Sequence, residues 1–196
     1  MQFPLIGGHA AIDFLNTSFA PEGEAIETIP SGRALVDWFV AAGLLEESAA
    51  TRLMKRFGAK ALDGQAAEAR KLRDWAREWL MRWRARPGGN YSDEIAALNR
   101  WLARGSAHHE LVQGETGLQL AERPSIDDPE ALLTLIAMQI ALLLTQEEPA
   151  LVKSCAGEKC TLWFVDRTKA HRRVFCSASA CGNRAKVAAF RERQRR

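Results

Sequence analysis

Cys155-Ala-Gly-Glu-Lys-Cys160 and Cys176-Ser-Ala-Ser-Ala-Cys181 decide how the C-terminal quarter of this chain folds. The spacing is C-x(4)-C-x(15)-C-x(4)-C, and it takes in all 4 cysteines of the 196 residues. Two short cysteine loops at that separation suit a tetrahedral site of four thiolates. Four sulfurs at about 2.3 Å close the coordination sphere of zinc and leave no place for a water. The expected cofactor is structural zinc, held by Cys155, Cys160, Cys176 and Cys181. Such a site contributes about 10–16 kcal/mol of folding free energy to a module with few large apolar residues. A disulfide framework, an iron–sulfur cluster, a redox switch and cysteines that hold no metal are the alternatives. Disulfides suit exported chains, and Met1 to Phe14 shows neither a basic leader nor a long apolar run. The expected compartment is therefore the reducing cytoplasm. Iron–sulfur clusters usually use other spacings.

Charge divides at the same place. Residues 151–196 hold 12 Lys and Arg against 3 Asp and Glu, a net of +9, whereas residues 1–150 hold 15 against 21, a net of −6. The basic quarter would seek a polyanion and the rest would be repelled by one. Between the cysteine loops, Thr161–Val165 reads as a strand, Arg172–Cys176 as its partner and Asp166–His171 as the turn. Ser177 can cap a last helix that carries Cys181 in its first turns, with Val187 and Phe190 packed back on the hairpin. Knuckle, hairpin and helix together make a treble-clef-like finger.

Upstream the pattern is helical. Ala10–Thr17 reads as a short apolar helix, with a strand as the alternative, and Pro21–Pro30 as a loop. Ser31 can cap a helix over Arg33–Ala42 that Gly43 stops, and Glu46–Phe57 is a short helix closed by Gly58. The longest helix is expected over Gln65–Arg86, with Leu72, Trp75, Trp79 and Trp83 as its buried stripe and Arg70, Arg77 and Arg84 on a solvated face. Ser92 is placed as the cap of Asp93–Ala103, which buries Ile95, Leu98 and Leu102. Glu110–Gln113 and Leu118–Ala121 flank Gly114–Gly117 as a β-hairpin. Asp127 or Asp128 caps a helix that opens with Pro129 and runs to about Gln146. Its most apolar part, Ala131–Leu144, is shorter than a bilayer span and reads as a core helix, so no membrane role is expected. The expected fold is mainly α with a small β-hairpin (α+β). A helical domain covers residues 1–150 and the zinc finger covers 151–196.

Several motifs match a known family. Cys155 to Cys160, Trp163-Phe164-x-Asp166, Cys176-Ser177 and Cys181-Gly182-Asn183-Arg184-Ala185-Lys186 resemble the CGNR zinc finger. Ile12-Asp13-Phe14-Leu15-Asn16-Thr17, Leu35-Val-Asp-Trp38 and Ala42-Gly43-Leu44 resemble the ABATE domain, which usually precedes that finger. The resemblance implies a stress-related transcription regulator that binds DNA. The chain departs from the finger's pattern at Arg173-Val174-Phe175, where Arg-Arg-Trp is usual, at Thr168 in place of Ser and at Ala178 in place of Met.

Candidate nucleic-acid contacts are Lys169 in the turn, Arg172 and Arg173 at the start of the second strand, and Arg184, Lys186, Arg191 and Arg193 on the last helix. The bland reading of that helix is a solvated basic tail. Asn183 and Asp166 are candidates for the surroundings of the metal, Asn183 bonding the knuckle or a thiolate and Asp166 pairing with Arg184. Asp13 and Asn16 stand in an apolar run, so they brace the fold or face a pocket. His171 is expected in the turn and not on the metal. No Ser-His-Asp set, phosphate-binding glycine loop or carboxylate pair is present, so no enzyme is expected. DNA is the expected partner. RNA, an acidic protein surface or a second copy of the chain are the alternatives.

Overall fold

A computed structural model of the chain describes residues 3–114 and 117–194. The fold begins with α1 (Ala10–Leu15), started by His9, whose Nδ1 accepts a hydrogen bond from the Ala11 amide at 3.1 Å. Ala11, Ile12, Phe14 and Leu15 are fully buried. Two short strands follow, β1 (Ser18–Phe19) and β2 (Ile26–Glu27), paired antiparallel, the second of them inside the Pro21–Pro30 segment that reads as a loop. Two-residue strands carry too little alternation to register as a pattern.

Helix α2 (Gly32–Ala41) starts at Ser31, whose hydroxyl accepts from the Ala34 amide at 3.3 Å, and is followed by Gly43 at φ 70°. Trp38 lies between Phe14 and Phe39, at ring-centroid distances of 5.5 and 5.3 Å. The helix reaches its neighbour at Gly32. A Cβ there would meet the Leu62 backbone carbon at 2.3 Å, and the Gly32 amide donates to the Asp63 carboxylate at 2.7 Å.

Helix α3 (Glu47–Ala85) is two helices joined at Gly58, whose φ of 73° and ψ of 167° break the spiral. The break falls where the sequence places it, but the second helix resumes at once instead of waiting for Gln65. The contacts of Leu62 and Asp63 with α2 outweigh the roughly 1 kcal/mol that Gly64 costs a helix interior. Leu72, Trp79 and Trp83 are buried and Trp75 partly so.

The arginine face of α3 is not solvated, contrary to expectation. Arg73 is buried and grips Glu27 bidentately at 2.8 and 3.0 Å, with Thr17 Oγ1 at 3.1 Å. Arg70 donates to the Ile29 carbonyl at 3.0 Å, and Arg77 donates to the carbonyls of Leu15 and Ser18. The Arg84 guanidinium stacks over the Trp163 ring, 4.7 Å from its centroid. This face clamps the N-terminal segment to the body, which neither helical periodicity nor local charge pairing can reveal.

Helix α4 (Ser92–Leu102) differs from expectation in two ways. Ser92 lies inside it and donates its amide to Asn90 Oδ1 at 3.1 Å, and Ile95 is 51% exposed while Leu98 is buried. The hairpin is longer than its sequence signal, with β3 (Ser106–Gly114) paired to β4 (Gly117–Ser125). A 3₁₀ turn at Pro129–Ala131, capped by Asp128 Oδ1 on the Ala131 amide at 2.9 Å, leads into α5 (Leu132–Gln146). Turn and helix together form an apolar stretch of 18 residues, long enough by length and composition to cross a membrane. In this fold Leu132, Leu133, Ile136, Ala137, Ile140 and Leu143 sit in the main core beside α1 and α3.

The chain then forms β5 (Val152–Ser154) and β6 (Trp163–Val165), paired Val152 with Val165, Lys153 with Phe164 and Ser154 with Trp163. The expected partner of the second strand, Arg172–Cys176, is not a strand. It runs past the cysteine knuckle, where the Ala156 amide donates to the Val174 carbonyl at 2.8 Å. Strand β6 is a wall shared by two cores. Trp163 and Val165 belong to the main core, while Phe164, pointing the other way, belongs to the small core of Cys155, Leu162, Cys176 and Cys181. A π-helical turn (Ala178–Gly182) and α6 (Asn183–Gln194) complete the described chain.

Candidate metal centre

The cysteine loops are built by backbone bonds. The Cys155 amide donates to the Leu162 carbonyl at 2.8 Å and the Cys160 amide to the Gly157 carbonyl at 2.9 Å, folding the first loop over β6. Ser177 caps the turn after Cys176 by accepting from the Ala180 amide at 3.3 Å, and this turn swings Cys181 inward. Gly157 fits closely beneath the cage, where a Cβ would lie 3.2 Å from both Cys160 Cβ and Cys181 Sγ.

The four sulfurs all lie within 4.8 Å of one another. Cys160 and Cys176 are 3.9 Å apart, and Cys176 and Cys181 are 3.6 Å apart. Four sulfurs at about 2.3 Å from one ion would stand about 3.8 Å from each other, so the cage has the size of a tetrahedral zinc site. The four thiols are free, and a disulfide needs about 2.05 Å.

Electrostatics fit the same ion. Burial and the neighbouring thiols push the Cys160 thiol up to about 11 against the pull of the Leu162 amide, and burial likewise raises Cys176. Cys181 goes down: its burial is outweighed by the Arg184 guanidinium, which donates to its sulfur at 3.0 Å, and by the surrounding thiols. Crowded thiolates of this kind need a cation between them. The amides of Gly157 and Cys176 also point at Cys155 Sγ, at 3.4 and 3.3 Å, as donors do around a metal-bound thiolate.

Two family profiles match the chain. The ABATE profile, described as "Putative stress-induced transcription regulator", matches residues 8–147, and the CGNR zinc finger profile matches residues 152–194. The chain belongs to the ABATE family and carries a CGNR zinc finger. A comparison with functionally curated proteins returned no match. The donor set, the cage size and the finger's identity together make this a structural zinc site. When bound, the ion supplies charge neutralisation and a cross-link, and its four sulfur ligands leave no position for a substrate.

The remaining candidates fall into two groups. Arg173, Arg184, Asp166 and Asn16 work inside the CGNR finger or at its joint with the ABATE domain, and Asp13 works in the turn before α1. Arg173 donates to the carbonyls of Phe175 and Cys176 and lies 4.1 Å over the Phe164 ring. Besides Cys181, Arg184 donates to the Pro21 carbonyl at 3.1 Å and pairs with Glu22, so it staples the metal site to the ABATE domain. Its expected partner Asp166 is buried and pairs with Lys153 at 2.7 Å. Asp166 also accepts from the Thr168 hydroxyl at 2.6 Å and from the amides of Thr168 and Arg173 at 3.1 and 2.9 Å. Burial alone would raise its pKa, but Lys153 and these donors hold it well below the usual carboxylate range. Lys153 also donates to the His171 carbonyl at 2.7 Å, which winds the 166–173 loop around one ion pair. His171 sits in that turn at φ 48° with Nδ1 on the Asp166 carbonyl, away from the metal.

Asn16 is fully buried and makes both bonds of a pair with the Trp163 backbone, each 2.9 Å long. Asp13 accepts from the Gly7 amide at 2.7 Å, and burial raises its pKa to about 6 against the pull of the Gly7 and Ile6 amides. Asn16 braces the joint between the two parts, while Asp13 holds the turn that leads into α1.

The second group is exposed: Lys169 and Arg172 on the loop, and Lys186, Arg191 and Arg193 on α6. Asn183 is exposed too and opens α6, and the side chain that reaches a sulfur is Arg184. Val187 and Phe190 are 41% and 56% exposed instead of packed, because the strand expected to cover them does not form. The sequence contained a cue to the role of Arg184, which follows Cys181 by three residues, one helical turn. No comparable cue pointed to Lys153.

Proposed function

We propose that this protein binds nucleic acid, DNA by preference, through the exposed cations of its zinc finger, and acts as a regulator and not as an enzyme. The observation that carries this reading is a division of labour among the finger's basic residues. Arg173 and Arg184 hold the metal site together, while Lys169, Arg172, Lys186, Arg191 and Arg193 face solvent on a module of net +9. A cationic surface fixed to a rigid zinc site suits phosphate contacts, and the net −6 of the ABATE part keeps a polyanion to that one face. The ABATE domain then senses a signal or brings two copies together.

The test is fluorescence anisotropy of the full zinc-loaded chain with a mixed-sequence DNA duplex across salt concentrations. Five phosphate contacts would make log K fall with log salt at a slope of about −4 to −5. Replacing Lys169, Arg172, Lys186, Arg191 and Arg193 with Glu should abolish binding while zinc content stays unchanged. Undiminished binding by that variant, or a slope near zero, overturns the proposal. Tighter binding to single-stranded RNA, or to an acidic protein only, would move the function to those partners.

A further inference from the structure

Helix α6 stands clear of the finger that carries it. Along its length every residue is exposed except the half-buried Ala185. Asn183, Val187, Phe190 and Gln194 recur at spacings of four, three and four, which stacks them in one stripe down the helix. At about 100° per residue, Lys186 and Arg193 fall roughly 80° to one side of that stripe and Arg191 about as far to the other. Glu192, the one acid of the helix, falls on the opposite side. The back of the helix is turned to the body: Arg184, Ala185 and Ala188 line a cavity shared with Pro21, Cys160 and Phe175. The stripe therefore looks outward, with an amide at each end, two apolar side chains between them and cations along both edges.

We infer that this stripe enters the major groove of duplex DNA and reads A·T pairs there, Asn183 and Gln194 through adenine and Val187 and Phe190 through the thymine methyl. The inference rests on the nucleic-acid reading above and names the side chains that give it sequence preference, since contacts to phosphate carry none. Charge selects the occupant. Cations on both edges of the stripe match the two phosphate strands that border a groove, and the same cations would repel the α6 of a second copy. Shape agrees, because a helix with its side chains is about 10–12 Å across and the major groove is about 12 Å wide. The chemistry of the stripe then sets the base. A side-chain amide donates to adenine N7 and accepts from its N6 amino group, whereas guanine offers two acceptors. An apolar side chain finds a partner in the methyl group that only thymine carries. From Asn183 to Gln194 the helix rises about 16 Å, which spans about five base pairs.

The test is selection from a random duplex library with the full zinc-loaded chain, followed by anisotropy on the selected site and on a mixed-sequence duplex. The selected site should hold its A·T pairs within about five base pairs. Adenines whose N7 is replaced by carbon should weaken the wild type by about 5–150-fold, the worth of a bidentate base contact, and should leave the Asn183→Ala, Gln194→Ala variant unmoved. Uracil in place of thymine, which removes only the methyl group, should weaken the wild type and leave the Val187→Ala, Phe190→Ala variant unmoved. Both variants should bind the selected site no better than the mixed duplex, with zinc content and salt slope unchanged, because these exposed side chains hold neither metal nor phosphate. Duplex binding without sequence preference overturns the inference and leaves the nucleic-acid reading standing, whereas failure to bind any duplex removes both. A selected site without A·T pairs, or one indifferent to both base changes, overturns the inference, as do variants that respond to those changes like the wild type.

Discussion

Asn16→Ala tests the joint between the ABATE domain and the finger. The Asn16 amide is fully buried and satisfies both the N–H and the C=O of Trp163, at 2.9 Å each. Removing it takes the partner from both backbone groups of Trp163. At about 1–3 kcal/mol for each unsatisfied group, the expected loss is about 2–6 kcal/mol, a large fraction of the 5–15 kcal/mol typical of a domain. The assay is urea unfolding of the zinc-loaded chain, followed by far-ultraviolet circular dichroism and by tryptophan fluorescence. With a slope of about 1–3 kcal/mol/M the midpoint should fall by about 1–2 M. The two probes should also separate, because Trp163 is where the finger meets the main core. A loss under about 0.5 kcal/mol with coincident transitions would refute the view that this amide joins the two parts.

Arg184→Ala should weaken zinc binding by about 10–100-fold, the usual cost of losing a donor beside a metal ligand; competition with a chromophoric chelator measures it. Asp13 gives a pH signature. Its folded-state pKa of about 6 lies above the unfolded value of about 3.9. Its contribution is therefore fully present below about pH 4 and is lost as pH rises through about 6. Asp13→Asn should flatten the fall in stability across that window, as read by thermal melts at each pH.

Legibility in the sequence followed the range of each interaction. Ser31, Gly43, Gly58 and Asp128 act within a few residues of themselves, and the four cysteines form two short loops, so a local reading reaches them. The β5–β6 pairing was out of reach because Val152–Ser154 is three residues long and shows no alternation. The docked arginines of α3 were hidden for another reason: Arg70, Arg77 and Arg84 have the spacing of a solvated face, and only the tertiary position of the Leu15–Ile29 backbone and of the Trp163 ring makes them clamps. Exposed Ile95, Val187 and Phe190 are apolar residues at core spacing for which no cover arrives.

X-ray absorption at the zinc edge on the purified full-length protein, combined with metal analysis, reads the cage directly. The expected result is one zinc per chain with four sulfur neighbours at about 2.3 Å and no nitrogen or oxygen in the inner sphere. A light-atom ligand, a substoichiometric metal that exchanges without loss of fold, or sulfurs oxidised to bridges would contradict a finger held by its four thiolates.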